Sequence, residues 1–297
     1  MADAGPRVIA DPALFRAACD GARGAGLKIA FVPTMGALHE GHLALVDEAR
    51  RRGDVVAVSI FVNPAQFGPK EDFDKYPRTL EADVAKLAAR GVELVLAPEA
   101  SSMYAPGHAT AVRVEGLTRG LCGGKRPGHF EGVATIVLKL FNIVGPCTAV
   151  FGRKDYQQLK VIERMACDLD VPVTIIGHPT VREQGGLAMS SRNAYLSAAE
   201  RDRALLLSAG LRAAHGMWAR GERMIGALRR AVVASVDKAA DSVDYVTAAD
   251  PDTLAELLDS TVAEDRLLLA VAARVGKTRL IDNTVLGEDA PPGGEPA

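Results

Sequence analysis

Two histidines, His39 and His42, stand three residues apart with Gly41 between them, shortly after an apolar run that ends at Val32. Residues 27–32 read as a buried strand, 33–36 as a turn, and 41–52 as a helix with Leu43, Leu45, Val46 and Ala49 on one side. Both imidazoles therefore fall at a helix start. Unpaired backbone N–H groups and the positive end of the helix dipole converge there, which favours an anion such as a triphosphate. Each imidazole can donate to a phosphate oxygen, and Gly41 lets a ligand approach the backbone without a Cβ in the way. A surface helix start with two chance histidines reads the same over four residues, so a second set of residues has to decide.

That second set is Met189, Ser190, Ser191 and Arg192, in a loop between apolar runs. Two hydroxyls and a guanidinium fork suit the charge that grows on a departing pyrophosphate. Alone, the loop reads equally well as an exposed turn before the helix that begins near Ser197. In this order along the chain, the histidine pair and the Ser-Ser-Arg loop resemble the two motifs of the HIGH/KMSKS nucleotidyltransferase superfamily.

The motifs between them narrow the resemblance. Asn63-Pro64-Ala65-Gln66-Phe67, Tyr76-Pro77-Arg78-Thr79, Arg126-Pro127-Gly128-His129-Phe130-Glu131-Gly132, Gly152-Arg153-Lys154-Asp155-Tyr156-Gln157-Gln158 and Val181-Arg182-Glu183 running on to Asn193 are similar, in that order, to the pantothenate synthetase (pantoate:beta-alanine ligase) family. The match runs from about Lys28 to Asn283. It implies ATP-dependent joining of (R)-pantoate to beta-alanine through a pantoyl adenylate, with AMP and pyrophosphate released. The first step calls for charge stabilisation on the phosphates and a positioned carboxylate more than for a base, because the carboxylate is already ionised at neutral pH.

The resemblance also implies residue roles. His39, His42, Lys154, Ser190, Ser191 and Arg192 would carry the chemistry, His42 as the better candidate for proton donation or charge stabilisation. Met35, Gly36, Ala37, Leu38, Glu40, Gly41, Gly152, Arg153, Asp155, Val181 and Met189 would complete the ATP site, with Asp155 at the ribose. Gln66 and Gln158 would hold pantoate, since an amide can donate to its carboxylate and accept from its hydroxyl. Ile136 and Val137 are candidates for the apolar wall against its methyl groups, although helix packing uses such residues too. ATP implies Mg2+, held mainly by phosphate oxygens and water. Asp83 lies where the family can offer an acidic residue, but its neighbour is Ala82, so a paired-carboxylate site is absent. A homodimer is the family expectation.

One departure stands out. The family commonly reads Ala-Asp-Gly before the Leu-Ala-Met-Ser-Ser-Arg-Asn run, whereas this chain has Gln184-Gly185-Gly186. A second glycine should loosen the loop, and Gly185→Asp should leave the chemistry intact and stabilise slightly.

Composition sets the outer bounds. The chain has 297 residues, 48% hydrophobic and 24% charged, as expected for a globular enzyme of two domains. Its 35 cationic and 37 anionic side chains give a net charge of −2, which argues against a nucleic-acid partner. Cys19, Cys122, Cys147 and Cys167 lack zinc-site spacing. With no secretory leader pattern and no membrane-length apolar run, the expectation is a cytoplasmic protein with free thiols, Cys147 and Cys167 acting as small core fillers.

The elements that must position these residues alternate. Strand-like runs at 27–32, 55–62, 92–97, 149–151 and 171–176 interleave with helical patterns at 41–52, 80–90, 133–143 and 156–168, which predicts an α/β, Rossmann-like, doubly wound parallel sheet over residues 1–177. Ligands bind beyond the carboxyl ends of such strands, where residues 33–36, 63–66 and 152–155 fall. Two long helical patterns at 198–220 and 223–239, then strands at 243–247, 266–273 and 278–283, predict a smaller α+β lid domain over 178–286 that closes on the nucleotide. Residues 68–75 read as a mobile flap, and 287–297 as a disordered tail. Two other readings stay open: a superfamily member with a different acceptor, which does not need Gln66 and Gln158, and a regulatory module that binds ATP without turnover. A tRNA synthetase fits least, for want of an anticodon-binding domain.

Overall fold

The computed structural model describes residues 5–69 and 71–293. Its contacts divide the chain into two compact units. The first comprises residues 1–114, 126–153 and 158–178, and the second 115–125, 154–157 and 179–297. The sequence boundary at 177/178 differs from this at His178, which groups with the first unit, and in two short segments, 115–125 and 154–157, which group with the second.

In the first unit the order is β1 (Arg7–Ile9), α1 (Pro12–Gly24), β2 (Ile29–Thr34), α2 (Glu40–Arg52), β3 (Val55–Ile60), α3 (Leu80–Ala88), β4 (Leu94–Leu96) and α4 (Ala100–Met103). After α5 (Leu121–Lys125), which belongs to the second unit, come α6 (His129–Val144), β5 (Cys147–Gly152), α7 (Tyr156–Asp168) and β6 (Val173–His178). The six strands form one parallel sheet in the order β1-β4-β3-β2-β5-β6. Ala30, Val32, Val56, Val58, Val95 and Val150 from these strands pack against Leu43, Val46 and Ala49 of α2. Continuous apolar strands of this kind need cover on both faces, as the sequence pattern required. The three-residue β1 escaped that pattern because it is a short edge strand with Arg7 and Val8 exposed.

The strand order reverses between β2 and β5, whose Phe31 and Ala149 are in register. Loops leaving the carboxyl ends of these two neighbours flank the switch point of the sheet, where open α/β folds bind ligands. They are the loops that begin at Met35 and at Arg153.

The second unit is an antiparallel sheet of β7 (Ser242–Ala249), β8 (Leu267–Val275) and β9 (Thr278–Leu286), covered by α8 (Ala198–Ala219) and α9 (Ile225–Ala239). Leu207, Leu211, Leu228, Val232, Leu267, Leu269 and Val271 are among its core residues. Ser197 and Glu200 form a capping box that fixes the start of α8. Of the expected disordered tail, 294–297 lie outside the described residues. The stretch before them is tied down: the Glu288 and Asp289 amides donate to Val285 O at 3.2 and 2.8 Å, and Asp289 accepts from Val285 N at 2.7 Å.

Two expectations about cysteines need correcting. Cys19 and Cys122 are the buried thiols, while Cys147 is half-buried and Cys167 is exposed. Among the described residues no helix is long and apolar enough to cross a membrane.

His215 of α8 is buried, with Nε2 2.6 Å from Thr284 Oγ1. Burial first, and then the charge of Arg182, lower its pKa from 6.5 to about 4. The unfolded chain therefore takes up this proton before the folded one does, so the contribution is present above pH 6.5 and is lost as pH falls toward about 4. Melting temperatures measured from pH 7 to 4.5 should fall more steeply for the wild type than for His215→Gln.

Candidate active site

The loop after β2 is built around two left-handed residues, Gly36 (φ +81°) and Ala37 (φ +50°). A Cβ on Gly36 would also sit 3.1 Å from Asp83 Oδ2 and from Ile60 Cγ2. The glycine that this loop requires is thus Gly36, whereas Gly41 belongs to the first turn of α2. One face of α3 grips the loop from the other side. Asp83 accepts from Ala37 N and Leu38 N, both at 2.8 Å, and from Thr79 Oγ1 at 3.0 Å, while Lys86 Nζ donates to Leu38 O at 2.5 Å.

Both oxygens of Asp83, the residue considered above as a cation ligand, accept hydrogen bonds from this loop and its flank. Its carboxylate is fully buried and accepts the loop amides, so it shapes the loop. Among the described residues no group of three or more His, Cys, Asp or Glu is placed to hold a metal ion.

The histidines cap α2 together. His39 is the N-cap and its Nδ1 accepts from Gly41 N at 3.1 Å; His42 Nδ1 accepts from His39 N at 3.4 Å. The two rings lie 4.0 Å apart, centroid to centroid. A neutral imidazole that accepts at Nδ1 must carry its proton at Nε2. Both rings are therefore oriented as Nε2–H donors at a helix N-terminus, the polarity that an anion requires.

Gln66 lies against the same loop. Its Nε2 donates to Met35 Sδ at 2.9 Å and its Oε1 accepts from Asn63 Nδ2 at 3.1 Å. Asn63 also donates to Gly132 O at 3.1 Å, accepts from Ala65 N at 3.3 Å, and accepts the Tyr104 hydroxyl at 2.7 Å. Burial raises the Tyr104 pKa to about 12, which keeps that hydroxyl a donor. Gly132 allows α6 to touch the Gln66 turn: a Cβ there would lie 2.2 Å from Ala65 O. His129 Nδ1 is 2.8 Å from Gln66 O, and its Nε2 is 2.9 Å from Arg126 Nη1. Ile136 and Val137 are buried on the same helix.

The 68–75 segment, expected as a mobile flap, has a fixed point. Glu71 is gripped by Arg126 through two bonds of 2.6 Å, and these hold its carboxyl below the usual range against the opposing effect of burial. Phe67 packs edge-on against Phe73 and Tyr76 at its base. Gln158 is half-buried on the first turn of α7. Its neighbour Gln157 serves structure instead, donating to Leu117 O and Gly120 O at 2.8 and 3.0 Å.

Gly152 ends β5, and a short 3₁₀ turn carries Arg153, Lys154 and Asp155. In the second unit, Asn283 Nδ2 donates to Lys154 O at 2.7 Å, and Lys154 Nζ lies 3.8 Å from Asp155 Oδ2. Val181 and Met189 are brought together by a bond from Met189 N to Val181 O at 3.0 Å. Beyond them Ser190 caps a 3₁₀ turn, its Oγ accepting from Arg192 N at 3.3 Å. Asn193 anchors that turn through bonds to Glu183 at 2.7 Å and Ala188 O at 3.1 Å.

A family model described as pantoate-beta-alanine ligase matches residues 7–285. The chain belongs to the pantoate-beta-alanine ligase family. Among curated relatives, pantothenate synthetase of Geotalea uraniireducens is 56% identical over 269 residues, covering 90% of this chain and 94% of its own. That of Anaeromyxobacter dehalogenans is 54% identical over 285 residues, covering 94% and 98%. The crystal structure of pantothenate synthetase from Thermus thermophilus superposes with a TM-score of 0.87 at 45% identity, covering 94% of this chain and 98% of that one. Pantoate-beta-alanine ligase from Francisella tularensis, solved with beta-gamma ATP and beta-alanine, gives 0.75 at 31% identity, covering 96% and 99%.

Membership in this family makes the departure at Gly185 informative. Gly185 and Gly186 have φ of +93° and +101°. The turn they form is closed by Glu183 N to Leu187 O at 2.8 Å and Gly186 N to Glu183 O at 2.9 Å. The second glycine therefore makes a tight turn, not a loose one. A Cβ on Gly185 would sit 3.0 Å from Leu205 Cδ2 in a backbone region that L side chains rarely adopt. Gly185→Asp should destabilise this ligase by about 1 kcal/mol, contrary to the sequence expectation. Calorimetry should show a melting temperature lower by about 2–4 °C, and activity at 25 °C should change little.

Asn63, Asp83 and Arg182 were missed as supports of the site. Asn63 before Pro64 is an N-cap pattern and was legible. The partners of the other two are distant in sequence and were not.

Proposed function

We propose that this chain joins pantoate to beta-alanine in two half-reactions at the site described above. In the first, a pantoate carboxylate oxygen attacks the α-phosphorus of ATP, forming pantoyl adenylate as the bond to pyrophosphate breaks. In the second, the beta-alanine amine attacks the acyl carbon, AMP leaves, and the amine nitrogen gives up a proton. The observation that carries the reading is the histidine pair, whose Nδ1 atoms are both engaged by backbone amides so that both Nε2–H groups serve as donors. The Francisella relative, solved with beta-gamma ATP and beta-alanine, supports two of the three substrates.

His39 and His42 donate to phosphate oxygens, His42 stabilising the charge that develops as pyrophosphate leaves. Lys154 acts as a point charge on the phosphates, and Ser190, Ser191 and Arg192 receive the pyrophosphate. Asp155 hydrogen-bonds the ribose. The backbone of Met35 to His42, together with Gly152, Arg153, Val181 and Met189, lines the nucleotide. Gln66 and Gln158 orient pantoate. Magnesium enters with ATP, held mainly by phosphate oxygens and water. We also propose a cytoplasmic homodimer, to be checked by light scattering for twice the 31.3 kDa chain mass.

Product analysis with all three substrates tests the reaction. AMP and pyrophosphate in equal amounts with pantothenate are expected. ADP and phosphate would mean attack at the γ-phosphorus and would overturn the adenylate route.

A further inference from the structure

An ion pair that is almost fully buried lies in the second unit, between residues given no substrate contact above. Arg182 grips Asp282 of β9 through two bonds of 2.7 and 2.9 Å, with side-chain exposures of 13% and 2%. Taking two charges out of water costs several kcal/mol each, and apolar residues of the same volume usually stabilise a core as well or better. Stability is therefore a poor reason for a pair at this position. A fork-on-fork pair does supply one fixed geometry.

Both ends of the pair lead to residues proposed to handle ATP. At one end, Arg182 also donates to Gly186 O at 2.9 Å, across the tip of the 181–189 hairpin whose outgoing arm runs into Ser190, Ser191 and Arg192. At the other end, Asp282 Oδ1 accepts the amide of Asn283 at 2.8 Å, and Asn283 Nδ2 donates to Lys154 O at 2.7 Å. Arg182 Nη2 closes the circuit on Asn283 O at 3.4 Å. One carboxylate thus sets the root of the Ser-Ser-Arg loop and, through the next residue, the backbone of Lys154.

We propose that Asp282 is a positioning residue for the nucleotide, holding Lys154 and the 190–192 loop in mutual register through Asn283 and Arg182. This rests on the assignment of those two segments to ATP made above.

The test is steady-state ATP–pyrophosphate exchange in the full-length protein. Asp282→Asn should raise KM for ATP about tenfold while KM for pantoate stays within twofold. Asn283→Ala, which removes the side-chain link to Lys154 O, should move KM for ATP in the same direction. In a Lys154→Ala background Asn283→Ala should add less than twofold, because the group it positions is gone. An equal, multiplicative loss in both backgrounds would overturn the proposal, as would a fall in kcat with both KM values unchanged, the mark of a merely smaller folded fraction. Should Asp282→Asn fail to fold, Asn283→Ala and Arg182→Lys carry the same test. Calorimetric titration with ATP alone keeps the two readings apart. A wild type that binds ATP but shows no pantoate-dependent exchange would sink the substrate assignment, whereas equal ATP affinity in wild type and Asn283→Ala would sink this one.

Discussion

His42→Ala should lower the rate of pantoate-dependent pyrophosphate release by about a hundredfold or more, and His39→Ala should do the same. That factor corresponds to about 2.7 kcal/mol, the usual cost of removing one preorganised donor from a transition state that accumulates negative charge. The geometry explains why the two should be comparable. His42 Nδ1 accepts from the amide of His39, and His39 Nδ1 accepts from the amide of Gly41, so each ring is oriented by the backbone of the same short turn. Loss of His39 also removes the cap of α2, with about 1 kcal/mol of stability. His42→Ala should therefore melt nearer to the wild type than His39→Ala does. Single-turnover rates with circular dichroism separate the two effects, and near-native turnover in His42→Ala would remove the role assigned to it.

Gly132→Ala should lower kcat/KM for pantoate by about a hundredfold while KM for ATP changes little. The added Cβ would meet Ala65 O at 2.2 Å and Gln66 Cα at 2.7 Å, both backbone atoms that cannot rotate away. Relief requires α6 and the 64–66 turn to separate by about an ångström, and a misplacement of that size costs about two orders of magnitude in an oriented reaction. The same movement strains the bonds from Asn63 to Gly132 O and from His129 to Gln66 O. Kinetics with pantoate and ATP varied separately would read this. Equal losses on both substrates would mean that Gly132 serves the fold as a whole and not the seat of Gln66.

What the sequence disclosed, and what it hid, follows from the range of each interaction. The apolar runs of β2, β3 and β5 and the helix behind the histidines were legible because burial on both faces writes a continuous signal into neighbouring residues. The histidine pair was legible as a motif, yet its mutual capping was not: the Nδ1 contacts depend on φ and ψ at His39, which spacing alone does not report. The loop-holding part of Asp83 was not legible, because its oxygens meet Ala37 and Leu38, more than forty positions away in sequence. The Gly185-Gly186 pair was misjudged for a related reason. Glycine loosens an unfolded chain, but here both residues occupy a region of positive φ that a tight turn needs. Arg182 and Asp282 stand 100 positions apart, and nothing local to either marks the other as its partner.

Exchange of labelled pyrophosphate into ATP, measured without beta-alanine, tests the two-step reading most directly. With ATP and magnesium present, exchange should appear only when pantoate is added, and should fall when His42, Lys154 or Arg192 is replaced. Pantothenate and AMP should then form only on addition of beta-alanine. Exchange that ignores pantoate, or pantothenate formed by a protein that never exchanges pyrophosphate, would contradict a separate adenylation step and the roles given to these residues.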